Sequence, residues 1–560
     1  MDLSNCVAVF RNRDYIKSIE LSLILLKADP NNVIARAIIA ASYEKTGSID
    51  KAIYHQEVLL ESDKSNADLI YTLGNFYFSA KRYRDSIKQY ELAISIRSNF
   101  AEAYHNGGVA FRLIGNLQKS EQFLTKAISI KSNYAQAHVS LGTTLHELGK
   151  YEESKNSYKR AIALQASSFD ARYNFGLLLS DIGEWRQAIS QYAAAIELNA
   201  EFSEGYHQLG LAYIKVNEEA IAEQMLRRAI QLDISSVGAS VSLASLLRDS
   251  GREIEANSTL MKAHRHNPKL TTLTVALADS FSYLGEYLKA VSHYEAAIKQ
   301  DSPPIGAFNN FANCLMKLGR LTDAVAVYNR GLKHFETKDE LLLNLAMTHD
   351  YLNESKLAIF YLKQAANADN EDVSLTAKIY LALFYYLENR IQSVKDLLEQ
   401  STDIEDKYSA ALRPFLTYRR LLTRLVPLIN VGEQSISTIK GRSIFIVGES
   451  HSLSAHGAQV CIDKQQYVCK ALLVMGCKQW HLSSPTENQF KSKIRALTKE
   501  IPKGATVIYM LGEIDCRLDT GILPYSERHP ELKISEIVQK TITGYLDFIS
   551  ELCRDQRFVS

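Results

Sequence analysis

The stretch ADLIYTLGNFYFSAKRYRDSIKQYELAISIRSNF, residues 67–100, decides the fold because the chain repeats it. Residues 101–134 read AEAYHNGGVAFRLIGNLQKSEQFLTKAISIKSNY, and residues 135–168 read AQAHVSLGTTLHELGKYEESKNSYKRAIALQASS. In each copy apolar residues recur at spacings of three and four, which is the period of an amphipathic helix. Each 34-residue copy therefore predicts a pair of amphipathic helices.

Three positions of the repeat carry small residues in every copy. Small side chains let two helix axes approach closely, and large residues at positions 4, 7, 11 and 24 fill the remaining space. One helix pair cannot bury its apolar face alone, so the pairs are expected to stack into an all-α solenoid. The small residues are Gly74, Gly108, Gly142, Gly176, Gly210, Ala244, Ala278, Ala312 and Ala346 at position 8, Ser86 to Ala358 at position 20, and Ala93 to Ala365 at position 27.

The repeat keeps its phase for nine units, from Ala67 to Asp372. Another unit begins at Val33, a half unit precedes it, and the phase slips by two residues after Asp372. We therefore assign residues 1–400 to about eleven units, best in phase over 33–372, and residues 401–429 to capping helices. Residues 430–442, NVGEQSISTIKGR, lack helical spacing and are predicted to be a linker.

This pattern resembles the tetratricopeptide repeat over roughly 70% of the chain. The resemblance implies a right-handed superhelix whose concave surface binds extended peptides or partner domains. It also implies that the first helix of each unit lines that surface, mainly through positions 2, 5, 6, 9 and 12. A protein or peptide partner is therefore expected in the groove.

Position 6 carries Asn106, Asn174, Asn310 and Asn344. An asparagine side chain offers both a donor and an acceptor, so it could hold a peptide backbone independently of the peptide's sequence. This is similar to the asparagine ladder in the repeat arm of O-linked N-acetylglucosamine transferases, although Thr72, Ser140, Gln208, Ser242 and Ala276 interrupt it. The alternative is that these asparagines are solvated groove residues without a fixed ligand.

The bulk composition excludes several classes of protein. The chain has 560 residues, 64 basic and 63 acidic, so its net charge of +1 does not favour nucleic acid or an anionic membrane as a partner. None of the seven cysteines forms a CxxC pair, so neither a zinc site nor another metal or cofactor is predicted. The odd number of cysteines and the absence of a signal-peptide pattern predict a soluble, cytoplasmic protein.

From Ser443 onward the pattern changes. Three short apolar runs, SIFIVG (443–448), YVCKALLVMG (467–476) and ATVIYMLG (505–512), are typical of buried parallel strands. Helical patterns over 486–502, with Thr486 near the N-cap, and over 534–555 separate or follow them. Residues 443–560 are therefore predicted to form a small α/β domain with a parallel, flavodoxin-like sheet.

In parallel sheets, functional groups gather at the carboxyl ends of the strands. The first run ends at Gly448-Glu449-Ser450-His451, and the third at Gly512-Glu513-Ile514-Asp515-Cys516-Arg517. We expect these polar groups to meet at one edge. The alternative for Asp515 and Arg517 is a structural ion pair, for Cys516 a buried small residue, and for Trp480 a packing aromatic.

The GESHS segment resembles the first block of SGNH (GDSL-type) acyl hydrolases, which reads Gly-Asp-Ser. The resemblance implies that Ser450 is a nucleophile whose backbone N–H donates to an oxyanion. The family's third block, Gly-x-Asn-Asp, aligns with Gly512 and Asp515 but has Ile514 in place of the asparagine. Arg517 could take the role of the missing donor.

The family's last block, Asp-x-x-His, supplies the general base and has no counterpart before Ser560. We therefore expect the α/β domain to be incomplete in this chain. His451 is the tentative base, and His456, His481 and His529 are the other candidates, each with a structural role as the alternative.

Two functions follow from this sequence. The chain is either a protein-binding scaffold that carries an SGNH-like ester hydrolase or acyltransferase, or a non-catalytic adaptor whose α/β domain only docks. A weaker alternative is a repeat arm like that of O-linked N-acetylglucosamine transferases, without their catalytic region.

Overall fold

The computed structural model describes residues 3–300, 302–336, 338–401, 413–426, 442–448, 456, 459–462, 465–475, 477, 479–503, 505–510 and 534–556. These residues form 28 helices and four strands. They fall into two compact units, Met1–Ser250 and Gly251–Ser560, which are described in turn.

The first unit consists of helices in antiparallel pairs. The pairs from Val33 onward follow the predicted 34-residue period, each with a first helix of 13 residues and a second of 14. The helices are α1 Leu3–Arg11, α2 Tyr15–Ala28, α3 Val33–Lys45, α4 Ile49–Ser62, α5 Ala67–Ser79, α6 Tyr83–Ile96, α7 Ala101–Leu113, α8 Leu117–Ile130, α9 Ala135–Glu147, α10 Tyr151–Leu164, α11 Phe169–Asp181, α12 Trp185–Leu198, α13 Ser203–Lys215, α14 Glu219–Leu232 and α15 Val237–Asp249.

The second unit continues the pairs and then adds a sheet. Its first ten helices include α23, whose 17 residues make it longer than the preceding first helices, in agreement with the slip of phase after Asp372. These helices are α16 Glu253–His266, α17 Thr271–Tyr283, α18 Tyr287–Ala297, α19 Ile305–Lys317, α20 Leu321–His334, α21 Asp339–Tyr351, α22 Ser355–Ala365, α23 Glu371–Leu387, α24 Ile391–Glu399 and α25 Arg413–Leu425.

Repeat position 15 ends the first helix of each pair with a left-handed residue. Such a residue lets the last carbonyls of the helix be capped, and glycine adopts this conformation without strain. Seven repeats have glycine at this position, and three have Lys81, Asn217 and Asn353 with φ of 58°, 61° and 63°. The two-helix unit predicted from the period is thus confirmed. The turn between its helices depends on the left-handed residue at position 15.

The small residue at position 8 faces the large residue at position 24 of the same repeat. A Cβ added to Gly176 would lie 2.5 Å from Cε1 of Tyr192, and one added to Gly142 would lie 2.8 Å from Cε1 of Tyr158. The position-24 side chains are at most 2% exposed, so this contact forms the centre of each pair. They are Tyr90, Leu124, Tyr158, Tyr192, Leu226, Leu260, Tyr294, Tyr328 and Leu362.

The sheet has the strand order β2-β3-β1-β4, with β1 Arg442–Gly448, β2 Gln459–Ile462, β3 Gln465–Leu473 and β4 Thr506–Met510. β3, β1 and β4 are parallel, as their sequences predicted, and β2 pairs with β3 in the antiparallel sense. The sequence analysis did not predict β2.

Three helices accompany the sheet: α26 Gln479–Ser483, α27 Gln489–Glu500 and α28 Ile534–Gln556. Thr486 was predicted to lie near the N-cap of α27, and the cap itself is Asn488, two residues later, whose side chain accepts hydrogen bonds from the backbone N–H groups of Phe490 and Lys491. β1 begins at Arg442, the last residue of the predicted linker. The rest of that linker lies outside the described residues.

Candidate functional site

Hydrogen bonds between consecutive repeats organise the surface that the first helices of the pairs present. In the first unit, the Tyr90 hydroxyl donates to Oδ1 of Asn75 over 2.8 Å. Nδ2 of Asn106, in the following repeat, donates to the same oxygen and to the Tyr71 hydroxyl, both over 2.9 Å. We call this chain, from position 24 through position 9 to position 6 of the next repeat, the polar relay.

The second unit contains the same polar relay. The Tyr294 hydroxyl donates to Oδ1 of Asp279, and Nδ2 of Asn310 donates to that oxygen over 2.9 Å. Nδ2 of Asn344 donates instead to Oδ1 of Asn309 at position 5 of the preceding repeat, over 2.7 Å. Three of the four predicted groove asparagines thus use their amide donors to join adjacent repeats.

His105 engages the remaining acceptor of Asn106. Its Nδ1 lies 3.0 Å from Oδ1 of Asn106, and its Nε2 lies 3.0 Å from the Ser140 hydroxyl in the next repeat. Burial lowers the pKa of His105, so the neutral ring is favoured, with the Nδ1 proton donated to the amide oxygen. Position 5 carries the same link at His207, whose Nε2 lies 3.2 Å from the Ser242 hydroxyl.

Asn174 differs from the other three asparagines. No hydrogen bond joins its side chain to another described residue, and it is half-buried. It lines a cavity of about 410 Å³ in the first unit, together with Arg112, Gln136, Asp170 and Asn75. Nη1 of Arg112 donates to Oε1 of Glu147 over 2.8 Å, which fixes the guanidinium beside the cavity.

The five predicted catalytic residues cannot be placed. Ser450, His451, Gly512, Asp515 and Arg517 all lie outside the described residues. The structure does describe the ends of the strands that precede the predicted site. Gly448 of β1 pairs in register with Leu473 of β3 and with Met510 of β4.

The two other candidate histidines that the structure describes have packing roles. Nδ1 of His456 accepts a hydrogen bond from the backbone N–H of Ala471 over 3.2 Å, and burial lowers the pKa of this ring. The His481 ring stacks on Phe490, with 4.3 Å between their centroids. His529, Cys516 and the side chain of Trp480 lie outside the described residues.

The residues that the structure describes show neither a metal-ligating cluster nor a membrane-spanning helix. They contain no cluster of three or more His, Cys, Asp or Glu side chains able to hold a metal ion. None of their helices combines the length and the apolar character needed to cross a bilayer.

Comparison with known families identifies the repeats. A model described as "TPR repeat" matches residues 142–183, and two described as "Tetratricopeptide repeat" match residues 275–337 and residues 67–100, 101–134, 203–233 and 339–372. The matched segments all lie within the series of helix pairs described above, although 142–183 and 275–337 begin inside a first helix. The chain therefore contains tetratricopeptide repeats. A search of curated proteins gave no match.

Several solved structures are similar to part of the chain. A tetratricopeptide repeat protein from Parabacteroides merdae is 20% identical, covers 44% of this chain and 98% of its own, and gives a TM-score of 0.36. The C-terminal part of a TPR repeat-containing protein from Cytophaga hutchinsonii is 16% identical over 42% and 98%, with a TM-score of 0.35. YrrB, described as a TPR protein with an unusual peptide-binding site, is 23% identical over 33% and 95%, with a TM-score of 0.29.

The relay predicts different roles for two asparagines at the same repeat position. Asn106→Ala removes hydrogen bonds to Tyr71, Asn75 and His105, so it should lower the free energy of unfolding by about 1–2 kcal/mol. Asn174→Ala removes none within the described residues and should change it by less than about 0.5 kcal/mol. Urea denaturation of the two variants measures the difference, and equal losses would contradict the relay.

Proposed function

We propose that the first-helix surface of the repeats in the first unit binds a protein segment in an extended conformation. The observation that carries this proposal is the cavity of about 410 Å³ beside Asn174, whose carboxamide is not engaged by another described residue. A carboxamide can donate to a backbone carbonyl and accept from a backbone N–H of the same peptide. This supports recognition of main-chain groups, with little dependence on the ligand's sequence.

The other groove asparagines have a supporting role in this proposal. Asn106 joins adjacent repeats of the first unit, so it fixes the spacing of the proposed surface, and Asn310 and Asn344 join repeats of the second unit in a similar way. Arg112 and Asp170 place opposite charges at the cavity, which favours a ligand with both polar and charged groups over a purely apolar one.

The groove proposal is tested with peptides selected on the full-length protein from a random library. Asn174→Ala should weaken binding of a selected peptide about 10-fold or more, because it removes two main-chain hydrogen bonds. Asn133→Ala, an exposed loop asparagine two repeats earlier, should leave the affinity unchanged. Isothermal titration calorimetry gives both values. Unchanged affinity of Asn174→Ala, or failure to select any peptide, would refute the proposal.

A second candidate function concerns the C-terminal strands: an SGNH-like ester hydrolase or acyltransferase. Two observations support it. The parallel strands β3, β1 and β4 have the spatial order second-first-third along the chain, which is how flavodoxin-like sheets begin. Their carboxyl ends meet beside Gly448, two residues before Ser450. Under this candidate Ser450 is the nucleophile, and Gly512, Asp515, Arg517 and His451 complete the site.

This candidate predicts covalent labelling of one serine. A fluorophosphonate probe should label the full-length protein, and Ser450→Ala should abolish the labelling, because only an activated serine reacts. Ser443→Ala, at the opposite end of the same strand, is the matched control and should react like the wild type. Intact-mass spectrometry gives the stoichiometry. A wild type that stays unlabelled would favour the non-catalytic adaptor instead.

A further inference from the structure

We infer that the last two in-phase repeats, residues 305–338 and 339–372, use one edge of their stack as a binding surface for helix α27. The strand–helix segment that contains α27 is then a bound partner of the repeats. We call the binding surface the turn edge; it consists of Gly319, Asp350 and Asn353. The strand–helix segment comprises the described residues between 442 and 556. Both belong to the second compact unit, although the sequence predicted a linker between them.

Lys493 is the central contact on the α27 side. Its side chain is 4% exposed, and its Nζ donates to the backbone carbonyl of Asp350 over 2.6 Å, to Oδ1 of Asp350 over 2.8 Å and to Oδ1 of Asn353 over 3.2 Å. These contacts use all three donors of the ammonium group. The residues that supply them lie 140 or more positions earlier in the chain.

Asp350 occupies repeat position 12, where the neighbouring repeats have Ser282 and Met316. Its second oxygen, Oδ2, accepts from the Tyr380 hydroxyl over 2.8 Å. Burial and the nearby carboxylate raise the pKa of Tyr380, so the hydroxyl keeps its proton and acts as donor. Removing Lys493 would leave this carboxylate buried without its counter-charge, which is unfavourable.

Asn353 occupies the turn position that is glycine in most repeats, and it has φ of 63°. Asparagine tolerates this conformation better than most residues and adds a side chain. That side chain accepts from Lys493 and donates from Nδ2 to Oε1 of Glu500 over 2.6 Å. The turn thus contacts α27 at two positions that lie seven residues apart, Lys493 and Glu500.

Gly319 occupies the same turn position one repeat earlier. There the absence of a side chain leaves space for the start of α27. A Cβ at Gly319 would lie 2.9 Å from Cγ of Glu487 and 3.2 Å from the backbone N of Asn488, at the start of α27. Gly285, at the same repeat position and with nearly the same φ, has nothing within 4 Å of such a Cβ. Among the turn glycines that the structure describes in the repeats, Gly319 is the one whose added Cβ would meet the segment.

Apolar contacts complete the surface. The rings of Tyr351 and Phe490 meet edge to face, with 5.8 Å between their centroids. Met475, just beyond β3, is buried in the same hydrophobic cluster as Tyr380, Leu383 and Leu422 of the preceding helices. The partner that fits the turn edge is thus an amphipathic helix that presents one buried lysine among apolar residues.

Hydrogen exchange of the full-length protein, followed by mass spectrometry, tests this inference. Lys493→Met should speed exchange in both α21 and α27 by about a hundredfold, because a buried carboxylate loses its partner. Arg495→Met lies on the same helix, but its ion pair with Glu551 is partly exposed, so exchange in α21 should stay at the wild-type rate.

A second pair of variants tests the docking contact separately, in case Lys493→Met unfolds the protein as a whole. Gly319→Ala and Gly285→Ala carry the same backbone strain, but only the first puts a methyl group against the docked segment. Gly319→Ala should speed exchange in α27 at least tenfold more than Gly285→Ala does. Equal exchange in α27 for these two variants, or wild-type exchange in α21 of Lys493→Met, would overturn the inference.

Discussion

The close approach of the two helices within each repeat is the constraint on which the rest of the structure depends. Where position 8 is glycine, the position-24 side chain lies so near that even a methyl group would contact it, as Tyr192 shows beside Gly176. The other five in-phase repeats have alanine at position 8, so the constraint sets the helix spacing and does not forbid every side chain. Where position 24 is a tyrosine, its ring is fully buried against the first helix of the repeat. The hydroxyl at the end of the ring therefore lies at a fixed place beside that helix.

The polar relay follows from that placement. A buried hydroxyl needs a partner, and Asn75, Thr143, Asp279 and Asn313 at position 9 provide one for the tyrosines of their repeats. At two junctions the same position-9 acceptor also receives the amide of the asparagine at position 6 of the next repeat, Asn106 in one case and Asn310 in the other. At these two junctions the packing within one repeat therefore fixes its contact with the next.

Much of this could be predicted from the sequence, because repeated helices depend on local period and small residues. The helix pairs and three parallel strands agree with the patterns from which they were predicted. The roles of the groove asparagines could not be predicted one position at a time, because they depend on partners 31 or 35 residues away. A signal was nevertheless present: three of the four repeats with leucine at position 24 have an apolar residue at position 9, whereas four of the five with tyrosine have an amide, acid or hydroxyl there. Docking through Lys493 had no such signal, since a lone lysine on an amphipathic helix is usually solvated.

The most direct test of the central claim is the free energy of unfolding of Gly176→Ala, measured by urea denaturation beside Gly306→Ala. Gly306 also lies in a helix, but a Cβ there would meet nothing within 4 Å. The close approach predicts that Gly176→Ala loses about 1–3 kcal/mol through the contact with Tyr192, while Gly306→Ala gains up to about 1 kcal/mol from helix propensity. A Gly176→Ala variant as stable as the wild type, or more stable, would contradict this account. It would mean that the contact between positions 8 and 24 does not set the helix spacing.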